Sequence, residues 1–98
     1  MSGGIVMGYS YPLRNDWSTN EIINVTAFYE VIEKGYEEGI EREEVIRAYR
    51  EFKIIVPSKS EEKTLFKEFE EASGYSSYQI VKAAQEGEGG ELIKGKQR

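Results

Sequence analysis

Ninety-eight residues, 39% apolar and 12% aromatic, are enough for one domain around one modest core. The chain has neither cysteine nor histidine, which excludes disulfides, thiolate nucleophiles and thiolate zinc sites and removes the commonest neutral-pH general base. Thirteen Lys/Arg against 18 Asp/Glu leave a net charge of −5, the wrong sign for a surface that tracks phosphates.

Residues 1–8 are Gly-rich and unpatterned and read as a flexible N-terminal extension, with the domain spanning 9–86. Tyr11-Pro12-Leu13 is an extended lead-in, because proline drives its predecessor out of the helical region. The first helix, 18–38, opens on the capping-box pattern Ser18-Thr19-Asn20-Glu21, with Trp17 before the cap and Gly39 able to close the far end. Gly35 is an earlier candidate stop.

At 100° per residue, Ile22, Val25, Phe28, Tyr29, Ile32 and Tyr36 share one arc and form the core face. Ile23, Ala27 and Val31 make a second apolar stripe on roughly the opposite side, which a plain bundle does not require; it either packs within the domain against Leu13, Trp17 or the fourth helix, or forms an interface with a partner or a second copy.

The second helix, 41–55, buries Val45, Ala48, Tyr49, Phe52, Ile55 and Val56 and directs Arg47, Arg50 and Lys53 largely away, with Pro57 ending it. Ser58-Lys59-Ser60-Glu61 opens a third helix, 59–73, whose inward stripe is Leu65, Phe66, Phe69 and Ala72 and whose stop is Gly74. Ser76 and Gln79 open a fourth, 77–86, with Val81 and Ala84 facing inward beside Tyr78 or Ile80. Residues 87–98 lack periodicity and are expected to form a flexible tail. Three capping patterns are no more than chance supplies in a chain this rich in Glu, but each follows a Trp, Pro or Gly and opens an apolar stripe. No segment alternates with period two for long, so the fold class is all-α, about four helices in one compact bundle.

The stretches Tyr11-Pro12-Leu13, Trp17-Ser18-Thr19-Asn20-Glu21-Ile22, Tyr49-Arg50-Glu51-Phe52-Lys53, Ile55-Val56-Pro57-Ser58-Lys59 and Glu68-Phe69-Glu70-Glu71-Ala72-Ser73-Gly74-Tyr75-Ser76-Ser77-Tyr78 carry a resemblance. In order over roughly residues 9–86, the chain resembles uncharacterised protein family 0223, small proteins of Gram-positive bacteria. The resemblance implies a compact helical fold in a cytoplasmic bacterial setting. It implies no activity, and no functional residue is carried over from it.

Several constellations are candidate sites. Tyr75, Ser76, Ser77 and Tyr78 surround a helix start whose amides could hold a phosphate or carboxylate; the plainer account is a capped helix with packed tyrosines. Ser58 with Lys59 offers a second such start, or simply a cap on an interhelical turn. Arg47, Arg50 and Lys53 form a basic ridge, or a solvated face on which Glu43 pairs with Arg47. The glutamates of the first two helices have no EF-hand spacing and no histidine beside them, so they read as surface charge. A helix-turn-helix built on the third helix sets Lys59, Lys63 and Lys67 against Glu61, Glu62, Glu68, Glu70 and Glu71, a balance of −2 that opposes DNA.

No catalytic constellation, metal set or cofactor motif stands out, so the chain reads as leaning away from an enzyme. No apolar run approaches the roughly 18 residues of a membrane span, and no basic segment precedes an apolar one at the start. The expectation is a cytoplasmic interaction module that binds another protein, or also itself, through the Ile23/Ala27/Val31 stripe. An anion-binding domain or minor enzyme at the Ser58 and Ser76 helix starts is second, and nucleic-acid binding third.

Overall fold

The structure, a computed structural model, describes residues 10–96. The N-terminal extension expected over residues 1–8 lies outside the described residues.

Helix α1, Thr19–Glu37, begins where expected because its capping box is complete. The Glu21 N–H donates to Ser18 Oγ at 3.1 Å, and the Ser18 N–H donates to the Glu21 carboxylate at 2.9 Å. The helix closes at Gly39, whose φ of +93° a side chain would resist and whose N–H reaches Lys34 O at 2.9 Å. Val25, Phe28, Tyr29, Ile32 and Tyr36 are all buried along one face. Gly35 does not stop the helix. It is buried inside it, and a Cβ there would lie 3.0 Å from Ile80 Cδ1, so the glycine lets the fourth helix approach.

After the two-residue strand β1, Ile40–Glu41, helix α2, Arg42–Ile55, packs back on α1. Val45 and Phe52 are buried, as is Val56 at the C-cap, while Ala48, Tyr49 and Ile55 are half-buried. Helix α3, Lys59–Ser73, starts on Ser58, whose Oγ accepts the Glu61 N–H at 3.2 Å, and stops at left-handed Gly74. Helix α4, Ser77–Glu86, starts on Ser76 in the same way, Oγ accepting the Gln79 N–H at 3.2 Å, and buries Ile80, Val81 and Ala84. The reciprocal half of these two boxes is diverted: Glu61 turns to Arg14 at 3.9 Å, and Gln79 Oε1 accepts the Tyr36 hydroxyl at 3.3 Å. Ala72, expected to face inward, is exposed; the inward arc of α3 is made by Glu62, Leu65 and Phe69.

Stacked aromatic rings join α1, α2 and α3. Phe28 stacks on Phe52 at 4.6 Å and on Phe66 at 5.8 Å, and Tyr29 stacks on Phe69 at 4.7 Å. The lead-in lies over this stack. The Tyr11 ring centroid is 5.3 Å from that of Tyr29, the Tyr29 hydroxyl donates to Pro12 O at 3.0 Å, and Arg14 forks onto Glu68 at 3.1 and 3.3 Å.

The segment expected to be a flexible tail is different. Its described part, through Lys96, returns as strand β2, Leu92–Ile93, antiparallel to β1 with Ile40 opposite Ile93 and Glu41 opposite Leu92. Ile93 is buried, the Gly95 N–H donates to Gly35 O at 3.0 Å, and the Gly90 N–H meets the Glu43 carboxylate at 3.1 and 3.3 Å. That hydrogen bond, with Arg42 adjacent, holds Glu43 below the usual carboxylate range. Glu43 therefore anchors the strap rather than pairing with Arg47. One buried isoleucine and a few backbone bonds hold this strap, a signal too short to show as periodicity.

Among the described residues no helix is long and apolar enough to cross a membrane.

Candidate functional site

The i, i+4, i+8 spacing of Lys59, Lys63 and Lys67 puts three ammonium groups along one flank of α3, the flank that faces α4. Between the two helices lie two adjoining hollows of about 280 Å³ each, which share Phe66 and Tyr78 as walls. Lys63 and Lys67 border one; Lys59 and Lys82 border the other. Phe66 is held rigid from behind by the Phe28 and Phe52 stack, whereas Tyr78 is 60% exposed with Lys82 Nζ 5.8 Å from its ring centre.

The charge balance of this cleft differs from that of the helix that borders it. Of the five α3 glutamates counted against the lysines, Glu61 and Glu68 turn to Arg14. Glu62 is buried, and its carboxylate accepts Lys53 Nζ at 2.6 Å and the Tyr49 hydroxyl at 2.7 Å. Burial and that hydrogen bond push the Tyr49 hydroxyl well above the usual tyrosine range. The cleft thus carries four lysines, none in an ion pair among the described residues, against two unpaired glutamates, Glu70 and Glu86.

The residues singled out from sequence divide between this cleft and other places. Lys59, Ser76, Ser77 and Tyr78, taken as parts of two separate helix starts, all line the one cleft. Ser58 is exposed, with its hydroxyl engaged as a cap. Tyr75 stacks on Tyr36 at 4.7 Å and donates to Glu37 at 3.0 Å, beside a larger polar hollow of about 510 Å³. Two amides of this helix start are already engaged: the Ser76 N–H donates to the Tyr36 hydroxyl at 3.2 Å and the Gln79 N–H to Ser76 Oγ. Ser77 is fully buried, and its Oγ has no hydrogen-bond partner among the described residues.

On α2, Arg47 and Arg50 are exposed without ion pairs among the described residues, but Lys53, expected to point away with them, turns inward to Glu62. Ile23 is 58% exposed, Ala27 is exposed, and Val31 is half-buried against the core. Ala27 and Val31 share a shallow groove of about 210 Å³ with Ala48 and Arg47 of α2, not with Leu13, Trp17 or α4. Among the described residues no group of three or more Asp or Glu is placed to hold a metal ion.

Phe66, Lys63, Lys67, Lys82 and Glu62 were not singled out as site residues by sequence. The lysine spacing was visible, but a sum over the whole helix cancelled it.

A family model described as an uncharacterised protein family, UPF0223, matches residues 8–93. A UPF0223 protein of Lysinibacillus sphaericus (strain C3-41) is 57% identical over 88 residues, 90% of this chain and 93% of the relative. The UPF0223 protein YktA of Bacillus subtilis (strain 168) is 54% identical over 80 residues, 82% of this chain and 91% of its own length. One from Staphylococcus saprophyticus is 46% identical over 92 residues, 94% of this chain and its full length. By the span of that family match and the near-complete coverage of these relatives, the chain belongs to the uncharacterised protein family UPF0223.

Proposed function

We propose that this protein is a cytoplasmic interaction module that docks a segment of another protein in the cleft between α3 and α4. One observation carries the reading: a preformed cleft pairs an apolar wall, Phe66, with a largely exposed tyrosine, Tyr78, and four lysines that make no ion pair among the described residues. Aromatic anchors are characteristic of interfaces, where Tyr contributes contact area at low entropic cost. The missing histidine and cysteine, and the engagement of the buried Glu62 carboxylate by Tyr49 and Lys53, support binding over catalysis. The absence of cysteine and of any long apolar helix among the described residues supports a cytoplasmic setting.

The test is a photo-crosslinking amino acid, p-benzoylphenylalanine, placed at position 78 in living cells of a native host. A discrete adduct is expected there, and none with the same residue at position 54, on the outer face of α2, where Ile54 is 70% exposed. Equal labelling at both positions, or none at 78, contradicts the reading.

A further inference from the structure

We infer that the occupant of the α3–α4 cleft is a short acidic peptide segment with a bulky apolar anchor; this rests on the docking reading above and names its partner chemistry. The argument starts from charge. A chain of net charge −5 gathers Lys59, Lys63, Lys67 and Lys82 around one cleft, although its acidic groups outnumber its basic ones overall. None of the four is consumed by an internal ion pair among the described residues, whereas Arg14, Arg42 and Lys53 are. The fold thus sorts its α3 charges: Glu61 and Glu68 turn to Arg14, Glu62, which lines the hollow beside Lys59 and Lys82, is neutralised by Lys53, and the cleft is left cationic.

Geometry then selects among anions. The three α3 lysines recur every fourth residue, about one helical turn or ~6 Å apart, a spacing that individual carboxylates on a facing segment can match one by one. Between them lies an aromatic slot bounded by Phe66 and Tyr78, and each adjoining hollow, at about 280 Å³, is of a size for one large side chain. An anchor seated there removes apolar surface from water while flanking acids meet the rim, the helix-in-groove or acidic-motif mode of recognition. Nucleic acid fits less well. A phosphate backbone carries a charge at every residue, so Glu70 and Glu86 in the lining and the net charge of −5 oppose it more than a segment whose few carboxylates are spaced to meet the lysines.

The test is fluorescence anisotropy at low salt with the full chain. The probe is a fluorescein-labelled peptide of about a dozen residues, with Glu at i and i+4 spacing around one central tryptophan. Comparison probes are the same peptide with Gln for Glu, and an oligouridylate of equal length. The acidic peptide is expected to bind at least roughly ten-fold more tightly than its Gln version and to weaken with salt. The pair Lys63→Glu, Lys67→Glu is expected to lose about ten-fold or more. Tyr78→Ala is expected to weaken every peptide, and Arg50→Glu, an exposed cation outside the cleft, to stay within about two-fold of the parent. Circular dichroism of each variant verifies folding. Equal binding of the Gln peptide overturns the acidic assignment while leaving docking intact if the position-78 adduct forms. Equal loss in Arg50→Glu overturns the site. Lysine-dependent binding of the oligouridylate without the peptide overturns it in favour of nucleic acid.

Discussion

Ser77 is the sharpest single-residue feature of the fold. Its hydroxyl is buried at the first position of α4 with no partner among the described residues, while its neighbour Ser76 does the capping. Leaving a buried hydroxyl unsatisfied costs about 1–3 kcal/mol, so Ser77→Ala is expected to be neutral or to stabilise by up to about 1 kcal/mol in urea unfolding. A loss larger than that would show that the hydroxyl has a partner. Three tyrosines make a second prediction. Burial, first of all, raises Tyr11, Tyr29 and Tyr49 well above the tyrosine range, with Glu33 adding to Tyr11 and Glu62 to Tyr49. A folded pKa above the unfolded value of about 10 means that the stability they contribute is whole below that pH and is lost as pH rises beyond it. Absorbance at 295 nm should therefore show a late tyrosine phase that coincides with loss of helical ellipticity. Tyr49→Phe should reduce its amplitude; a late phase complete before unfolding would contradict this.

At the scale of elements, the four helices were legible because punctuation and periodicity agree. Ser18, Ser58 and Ser76 each cap the helix expected of them, and Gly39 and Gly74 take the left-handed conformation at the stops. The second halves of two boxes were not legible, since whether Glu61 and Gln79 turn back to the cap depends on Arg14 and Tyr36, distant in sequence. Nor was the strap formed by β1 and β2, in which β1 packs on α1 and α2 and β2 packs on α4. Its tightest point is Gly95, where a Cβ would fall 2.5 Å from the Tyr36 ring. Gly95→Ala should displace the strap at a cost of roughly 1–3 kcal/mol. Hydrogen exchange should then quicken at Ile40 and Ile93 while the amides of α1 and α3 remain protected. Uniform quickening across all helices would show instead that the strap is integral to the global unfolding unit.

For the whole molecule, charge is arranged by face rather than by segment, which is why the cleft escaped detection. Counted along the helix, Lys59, Lys63 and Lys67 are outvoted by its five glutamates. In space, Glu61 and Glu68 belong to the lead-in through Arg14, Glu62 is neutralised by Lys53 of α2 where it lines the cleft, and the three lysines border the cleft with α4. The Ile23/Ala27/Val31 stripe was legible as apolar and unneeded by a plain bundle, but its surroundings on α2 were not. The two surfaces lie on different helix pairs, so one measurement separates them: amide chemical-shift mapping of the labelled protein on addition of the acidic, tryptophan-bearing peptide. Docking between α3 and α4 predicts that the largest shifts fall on Lys63, Phe66, Lys67, Tyr78 and Lys82. Shifts centred on Ile23, Ala27 and Arg47 instead would contradict it.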